Sequence, residues 1–581
     1  MKKQLLSLMI LLWVVSNAQS QENQTLKKIF DNIKVYDGAY QLNTDLWSGN
    51  HPGEIEVPTW ERMQSRRKRY KGYVKQLTSI KSSTLNRQDQ ISKAIKLMQL
   101  QDYLSGIQYK MALIPFNAEG GFFNNATFFM RRLPFKTKTD YENYLKWLPS
   151  YKKWLEGHQK LMERGVKEKI VAPQVIVKNV LKLLKPWIDT DYKKQPFYTP
   201  FLRFPSNISA ADRNQLDQKV KAILQREIIP AYRSFHRFVE TKYMKASPIN
   251  VGVSNLPNGR AYYENRVKYY TTLDISPDSV FKIGQQEVKR IRGQMEQIIR
   301  QLKFKGTWAD FFKFMRTDAQ FFPKNSQELL SYAAWLSKKA EGQLPKFFKK
   351  LYSLPFTVAP VPTNIAPTYT SGRYVPGSRF ANRPGTYWVN TYDLKSRTLY
   401  TLPALTLHES VPGHHLQITL ATENRIKGNP DFRNNYYISA FGEGWGLYAE
   451  YLGEEMGIYT TPYEKFGRYT YEIWRACRLV VDVGMHYKGW NREKAVKFMG
   501  NNTALSLHEV NTEIDRYIAW PGQALSYKIG EITIKYLRQE AEKALGQKFD
   551  IQQFHEVILR NGSVPLPILR EEVERYIEKN K

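Results

Sequence analysis

The stretch Ser276 to Leu302, SPDSVFKIGQQEVKRIRGQMEQIIRQL, decides what kind of protein this is. Val280, Gly284, Val288, Ile291, Met295, Ile298 and Leu302 recur every three or four residues, the period of one helix face. Ser276-Pro277-Asp278 supplies a helix start before them. Mixed three- and four-residue spacings return in Tyr144 to Leu161 and in Asp212 to Tyr243. The chain therefore reads as long amphipathic helices joined by short Pro- or Gly-containing turns. No fixed-period repeat is evident, which argues against a solenoid. The exception is Pro355 to Asp393, where six prolines occur with Gly372, Gly377 and Gly385; Thr386 to Thr391 within it is a good short strand. A mainly α fold with a small β element is the expectation.

The 581 residues, 14% of them aromatic, are ample for a large core and too rich for a disordered chain. One cysteine, Cys477, excludes an intramolecular disulfide and any Cys-based zinc site. At the start, Lys2 and Lys3 precede the apolar run Leu5 to Val15, and Ser16-Asn17-Ala18 places small residues at −3 and −1 of a cleavage site. Residues 1–18 thus read as a secretory signal peptide, with no cysteine after it for lipid attachment and no membrane span once it is removed. Pro248, Gly252 and Pro257 mark a boundary, dividing the rest into an N-terminal helical lobe, 19–250, and a C-terminal lobe, 251–581.

The net charge of +33 predicts attraction to polyanions. Its densest run is Arg66-Arg67-Lys68-Arg69, yet basic residues are spread along the whole chain and accompany no zinc finger, RNA-recognition motif or basic zipper. A cationic solvated surface is the expectation, with no specific nucleic-acid partner.

Three of nine histidines fall within eight positions, in His408-Glu409-Ser410-Val411-Pro412-Gly413-His414-His415. Imidazole and carboxylate suit zinc, and a glutamate beside the first histidine can act as general base, the division of labour in H-E-x-x-H metallopeptidases. Here the histidines are six and seven apart rather than four. On a straight helix seven residues rise about 10.5 Å, too far for two ligand bonds of about 2 Å. Ligation of one metal requires the helix to break between them, and Pro412-Gly413 suits a break. A third ligand should come from another helix. Phe441 to Glu450 offers Glu443 and Glu450 on one apolar, glycine-rich face; Glu443 is the better ligand candidate, Glu450 an ordinary or supporting acid.

These strings resemble the bacterial family called domain of unknown function 885. The matches are His408 to Gln417, Glu443-Gly-Trp-Gly-Leu-Tyr448, Arg383 to Asn390, Arg478 to His486, and Glu513 to Ile518 with Pro521 to Ala524. The resemblance covers roughly Val251 to the C-terminus and, more loosely, the N-terminal half. It implies a large, two-lobed helical metallopeptidase-like fold and a zinc peptidase of the gluzincin type acting on peptides. By that resemblance His408, His414 and Glu443 hold one Zn2+ per chain, with His415 the alternative second ligand, and Glu409 is the general base. The expected protein is exported, periplasmic or extracellular.

Further roles rest on spacing. Arg478, Asp482 and His486 lie four apart; they form either an ion-pair ladder or a relay in which Asp482 orients His486 toward the tetrahedral intermediate. Tyr517 and Tyr527 compete for that task. Arg516 and Lys528 are candidates for receiving a peptide carboxylate, and Asn390 for binding substrate backbone. The rival functions are another metal-dependent hydrolase, an amidase or esterase on the same residues, and a non-enzymatic polyanion-binding protein.

Overall fold

The computed structural model describes residues 22–38, 55–124, 130, 133–363, 365–379, 382–423 and 428–581. The expected signal peptide lies outside them. Helices account for most of the described residues, with one small sheet. The chain divides into two compact units, Met1–Val251 with Asn255–Gly259, and Gly252–Ser254 with Arg260–Lys581. No helix among the described residues is long and apolar enough to cross a membrane.

The first unit is helical and aromatic. Its longest element, α1 (Lys138–Glu168), starts at a capping box in which Thr137 and Asp140 satisfy each other's backbone N–H groups. Tyr144, Trp147, Tyr151 and Tyr232 are buried side by side, and the tyrosine hydroxyls find backbone carbonyls, as Tyr144 does at Phe197 O, 2.9 Å away. The three tyrosines thus bury their rings without stranding a hydroxyl, whereas the Trp147 indole N–H is buried without a partner among the described residues.

In the second unit the opening stretch forms α2 (Pro277–Gln301), capped by Ser276, and it buries the expected residues from Val280 to Ile298. A three-stranded sheet follows: β1 (Phe356–Pro360), β2 (Gly372–Val375) and β3 (Gly385–Val389). β3 is central, parallel to β1 and antiparallel to β2. Then come α3 (Leu402–Glu409), α4 (His414–Glu423), α5 (Ser439–Leu452), α6 (Pro462–His486), α7 (Leu507–Ala519) and α8 (Ser526–Leu545). Every residue of α3 is buried, as is α6 from Phe466 to His486. Such helices are packed on all sides, so polar groups they carry must be answered by other protein groups or by a ligand.

Candidate metal centre

The helix carrying the first histidine stops after Glu409. Ser410 closes it, its backbone N–H and its hydroxyl both donating to Thr406 O at 2.8 and 2.7 Å. The chain turns through Val411, Pro412 and Gly413, and α4 begins at His414. Gly413 is required by contact: a Cβ there would sit 2.0 Å from His408 O. The Trp445 indole, on α5, donates to Pro412 O at 2.8 Å and ties the break to the helix that carries the third group.

This break brings the histidines together. His408 Nε2 and His414 Nε2 lie 3.4 and 3.5 Å from the same oxygen, Glu443 Oε2. One ligand atom from each of the three residues lies within 4.8 Å of the others. Glu443 Oε1 accepts from the Tyr437 hydroxyl at 3.0 Å. His408 Nδ1 faces Glu450 Oε1 at 2.8 Å, and Arg475 stands 3.4 Å from that oxygen. A carboxylate on the far nitrogen fixes the tautomer and presents Nε2, the arrangement of metal-binding histidines. α5 approaches so closely that a Cβ on Gly446 would lie 2.6 Å from the His408 ring.

The electrostatics agree. Burial by itself lowers the His408 pKa, but hydrogen bonds from Glu443 and Glu450 outweigh it and raise it to about 10. Glu443, which burial would push up, is held well below the usual carboxylate range by His408 and His414. Buried carboxylates in this number call for a cation, and two imidazoles with one carboxylate are a donor set that fits zinc.

Glu409, buried beside His408, accepts the backbone N–H of Tyr374 at 2.7 Å. That N–H is available because of register. Asn390 N–H bonds Ser371 O, so residues 371, 373 and 375 turn toward β3, whereas Gly372 and Tyr374 turn their backbone groups to the open edge of β2.

His415 faces elsewhere. Its ring packs 4.4 Å from both Tyr352 and Phe356, its Nδ1 meets the Tyr374 hydroxyl at 2.9 Å, and burial lowers its pKa to about 4. Consecutive helical residues point about 100° apart; His414 enters the cluster and His415 the aromatic layer under β2, which sets His415 aside as the alternative ligand.

Of the remaining candidates, Tyr527 is brought to the centre, its ring stacked 6.3 Å from His408, and Arg516 reaches its hydroxyl at 3.3 Å. Five others are corrected by their surroundings. His486 is buried with both nitrogens used, Nδ1 accepting from Val253 N–H at 3.1 Å and Nε2 donating to Tyr517 O at 3.0 Å. Asp482 does not orient it, accepting instead from Tyr263 Oη at 2.6 Å and Gly522 N–H at 3.1 Å. The Tyr517 hydroxyl receives Trp474 and Arg478 and donates to Glu513, a saturated structural hub. Lys528 Nζ is buried among Glu472, Glu531 and Glu287 at 2.8, 2.8 and 3.0 Å, so its charge is already answered. Asn390 donates to the carbonyls of Ala366, Tyr369 and Thr370 and accepts from Tyr392 N–H, which pins a loop and leaves nothing for substrate.

Sequence reasoning missed Tyr437 and the aromatic rim it belongs to. The Tyr436 hydroxyl meets that of Tyr269 at 2.8 Å, Tyr269 packs on Tyr270, Trp520 donates to the Tyr270 hydroxyl, and Arg516 lies 6.0 Å from the Trp520 ring. Arg516 then closes the ring through Tyr527. These residues come from segments 160 or more positions apart in sequence for Tyr269 and Tyr436 alone, and no local spacing signals their meeting.

The fold has counterparts of known structure. A candidate lipoprotein from Colwellia psychrerythraea is 26% identical and superposes with a TM-score of 0.84 over 97% of this chain and 99% of its own. A candidate lipoprotein of unknown function from Shewanella oneidensis, 18% identical, gives 0.67 over 93% and 98%. No curated protein matches the chain. A family model matches residues 44–573, nearly the whole of the chain and the His408–His414–Glu443 cluster with it, so the protein belongs to the family described as bacterial protein of unknown function, DUF885.

Proposed function

We propose that the protein is an exported zinc-dependent peptidase. The observation that carries the reading is the convergence of His408, His414 and Glu443 across a helix break, with Glu409 held beside them by the backbone of a strand whose edge is open. His408 Nε2, His414 Nε2 and Glu443 Oε2 would hold the metal. Zinc in such a donor set supplies a Lewis acid toward a scissile carbonyl and makes a nearby water more acidic. Glu409 takes the proton from the attacking water and delivers it to the leaving nitrogen. Glu450 keeps the His408 ring oriented. With the Tyr374 N–H engaged by Glu409, the other outward-facing backbone groups of β2, those of Gly372 and the Tyr374 carbonyl, suit an extended peptide laid along that edge, and the rim of Tyr436, Tyr269, Tyr270 and Trp520 offers apolar faces to its side chains. The description of both structural relatives as candidate lipoproteins supports a place outside the cytoplasm.

The test is metal content by elemental mass spectrometry, followed by a peptide library. About one zinc per chain is expected. Glu409→Gln should retain the metal and lose turnover by roughly 10²-fold or more. Undiminished hydrolysis by that variant would refute the mechanism, and a protein that retains no metal after zinc loading would refute the centre.

A further inference from the structure

We propose that the second unit carries a separate small-molecule site, built on Arg397 and Glu509, that takes a compact α-amino acid of glycine or alanine size. The site is a small cavity walled by Leu402 and Leu405 of α3, Val389 at the end of β3, and Leu505, with the hydroxyls of Ser396, Thr401 and Ser506 among its lining. None of His408, Glu409, His414 and Glu443 lines it.

Its polar lining is charged and incompletely answered. Arg397 is 8% exposed, and among the described residues its side chain has one hydrogen bond, from an Nη to Ser371 Oγ at 3.3 Å. Its Nε is buried without a partner. The same Ser371 hydroxyl donates to Glu509 Oε1 at 2.8 Å. The guanidinium and the carboxylate therefore stand on either side of one hydroxyl, and no ion pair joins them directly. Burial raises the Glu509 pKa, with Arg397 only partly offsetting it.

Leaving a buried guanidinium donor unpaired costs about 1–3 kcal/mol, a cost that a native cavity ordinarily relieves with an occupant. A carboxylate fits the fork of Arg397; an ammonium fits Glu509 and favours its ionised form. Both groups on one small molecule, a short reach apart, describe an α-amino acid. The leucine and valine walls accept a methyl side chain, and the short reach between the two charges keeps the molecule small. The inference does not depend on the peptidase reading, although amino acids are the end products of peptide hydrolysis.

Isothermal calorimetry on the full chain with metal removed tests it, because chelation of zinc by the amino acid is then absent. Glycine and L-alanine should bind once per chain, while acetate and methylammonium, each carrying one of the two charges, should bind at least tenfold more weakly. Arg397→Gln and Glu509→Gln should each weaken glycine at least tenfold, the scale of one charge-assisted hydrogen bond. Ala504→Leu, which fills the cavity from its apolar side, should abolish binding while leaving both charges in place. Failure of glycine and alanine to bind the wild type overturns the proposal. So does affinity unchanged in the folded variants, and so does acetate binding as tightly as glycine.

Discussion

Glu450 lies seven residues from Glu443 on the same helix, yet the two carboxylates do different things. Glu443 meets two imidazole Nε2 atoms, whereas Glu450 takes the far side of one imidazole and faces Arg475. Glu450→Gln should therefore keep the zinc stoichiometry at saturation but weaken affinity roughly 10–100-fold, the usual cost of losing the partner behind a ligating histidine. His415→Ala should leave zinc affinity unchanged. A competition titration with a chromogenic chelator distinguishes the two, and an effect of equal size at both positions would contradict the geometry. At this scale the sequence was legible where chemistry and spacing coincide, as at His408, Glu409, His414 and Glu443. It was misleading where a residue type suggests function and packing answers it instead. Lys528 and Asn390 look like substrate groups in one dimension; in three, every polar atom of either side chain already has a protein partner.

Among the elements, the break between α3 and α4 has the largest consequence. Pro412-Gly413 announced it, since a straight helix could not bring the histidines to one point. The strand beside it was legible as well, Thr386 to Thr391 in expectation against Gly385–Val389 in the structure. What no pattern disclosed was that the outer strand, β2, would present the Tyr374 N–H to Glu409, because backbone donors look alike in every sequence. Gly413→Ala tests the break directly. A Cβ would meet His408 O at 2.0 Å and Leu407 O at 2.3 Å, so α3 and α4 must shift apart. Loss of metal affinity together with a destabilisation of about 1–3 kcal/mol is expected, as for other overpacked sites. Wild-type zinc binding in a Gly413→Ala protein would mean that the turn does not set the ligand spacing.

For the whole molecule, mainly α character followed from periodicity alone, because buried stripes such as that of α2 repeat along the chain. Four histidines buried in it carry a pH signature. Burial lowers His158 and His555 to about 3, and His415 and His486 to about 4. Below about 6.5 the unfolded chain binds protons that these folded sites refuse, so stability is full above that pH and falls with acid toward 4. Each histidine contributes about 1.4 kcal/mol per pH unit in this window. Asp482, pushed up to about 7 by burial, opposes them by one proton between pH 3.8 and 7. Urea midpoints of the metal-free protein should therefore fall from pH 6.5 downward, before ordinary carboxylates begin to titrate; a flat profile between pH 6.5 and 5 would contradict this. The interrupted helix has one more implication. Where two ligands share an unbroken helix, their separation is dictated by its pitch, and nothing short of unwinding changes it. Here the separation is written in the torsions of Ser410 to Gly413, so the bite angle on a metal is governed by a turn of four residues and not by helix pitch.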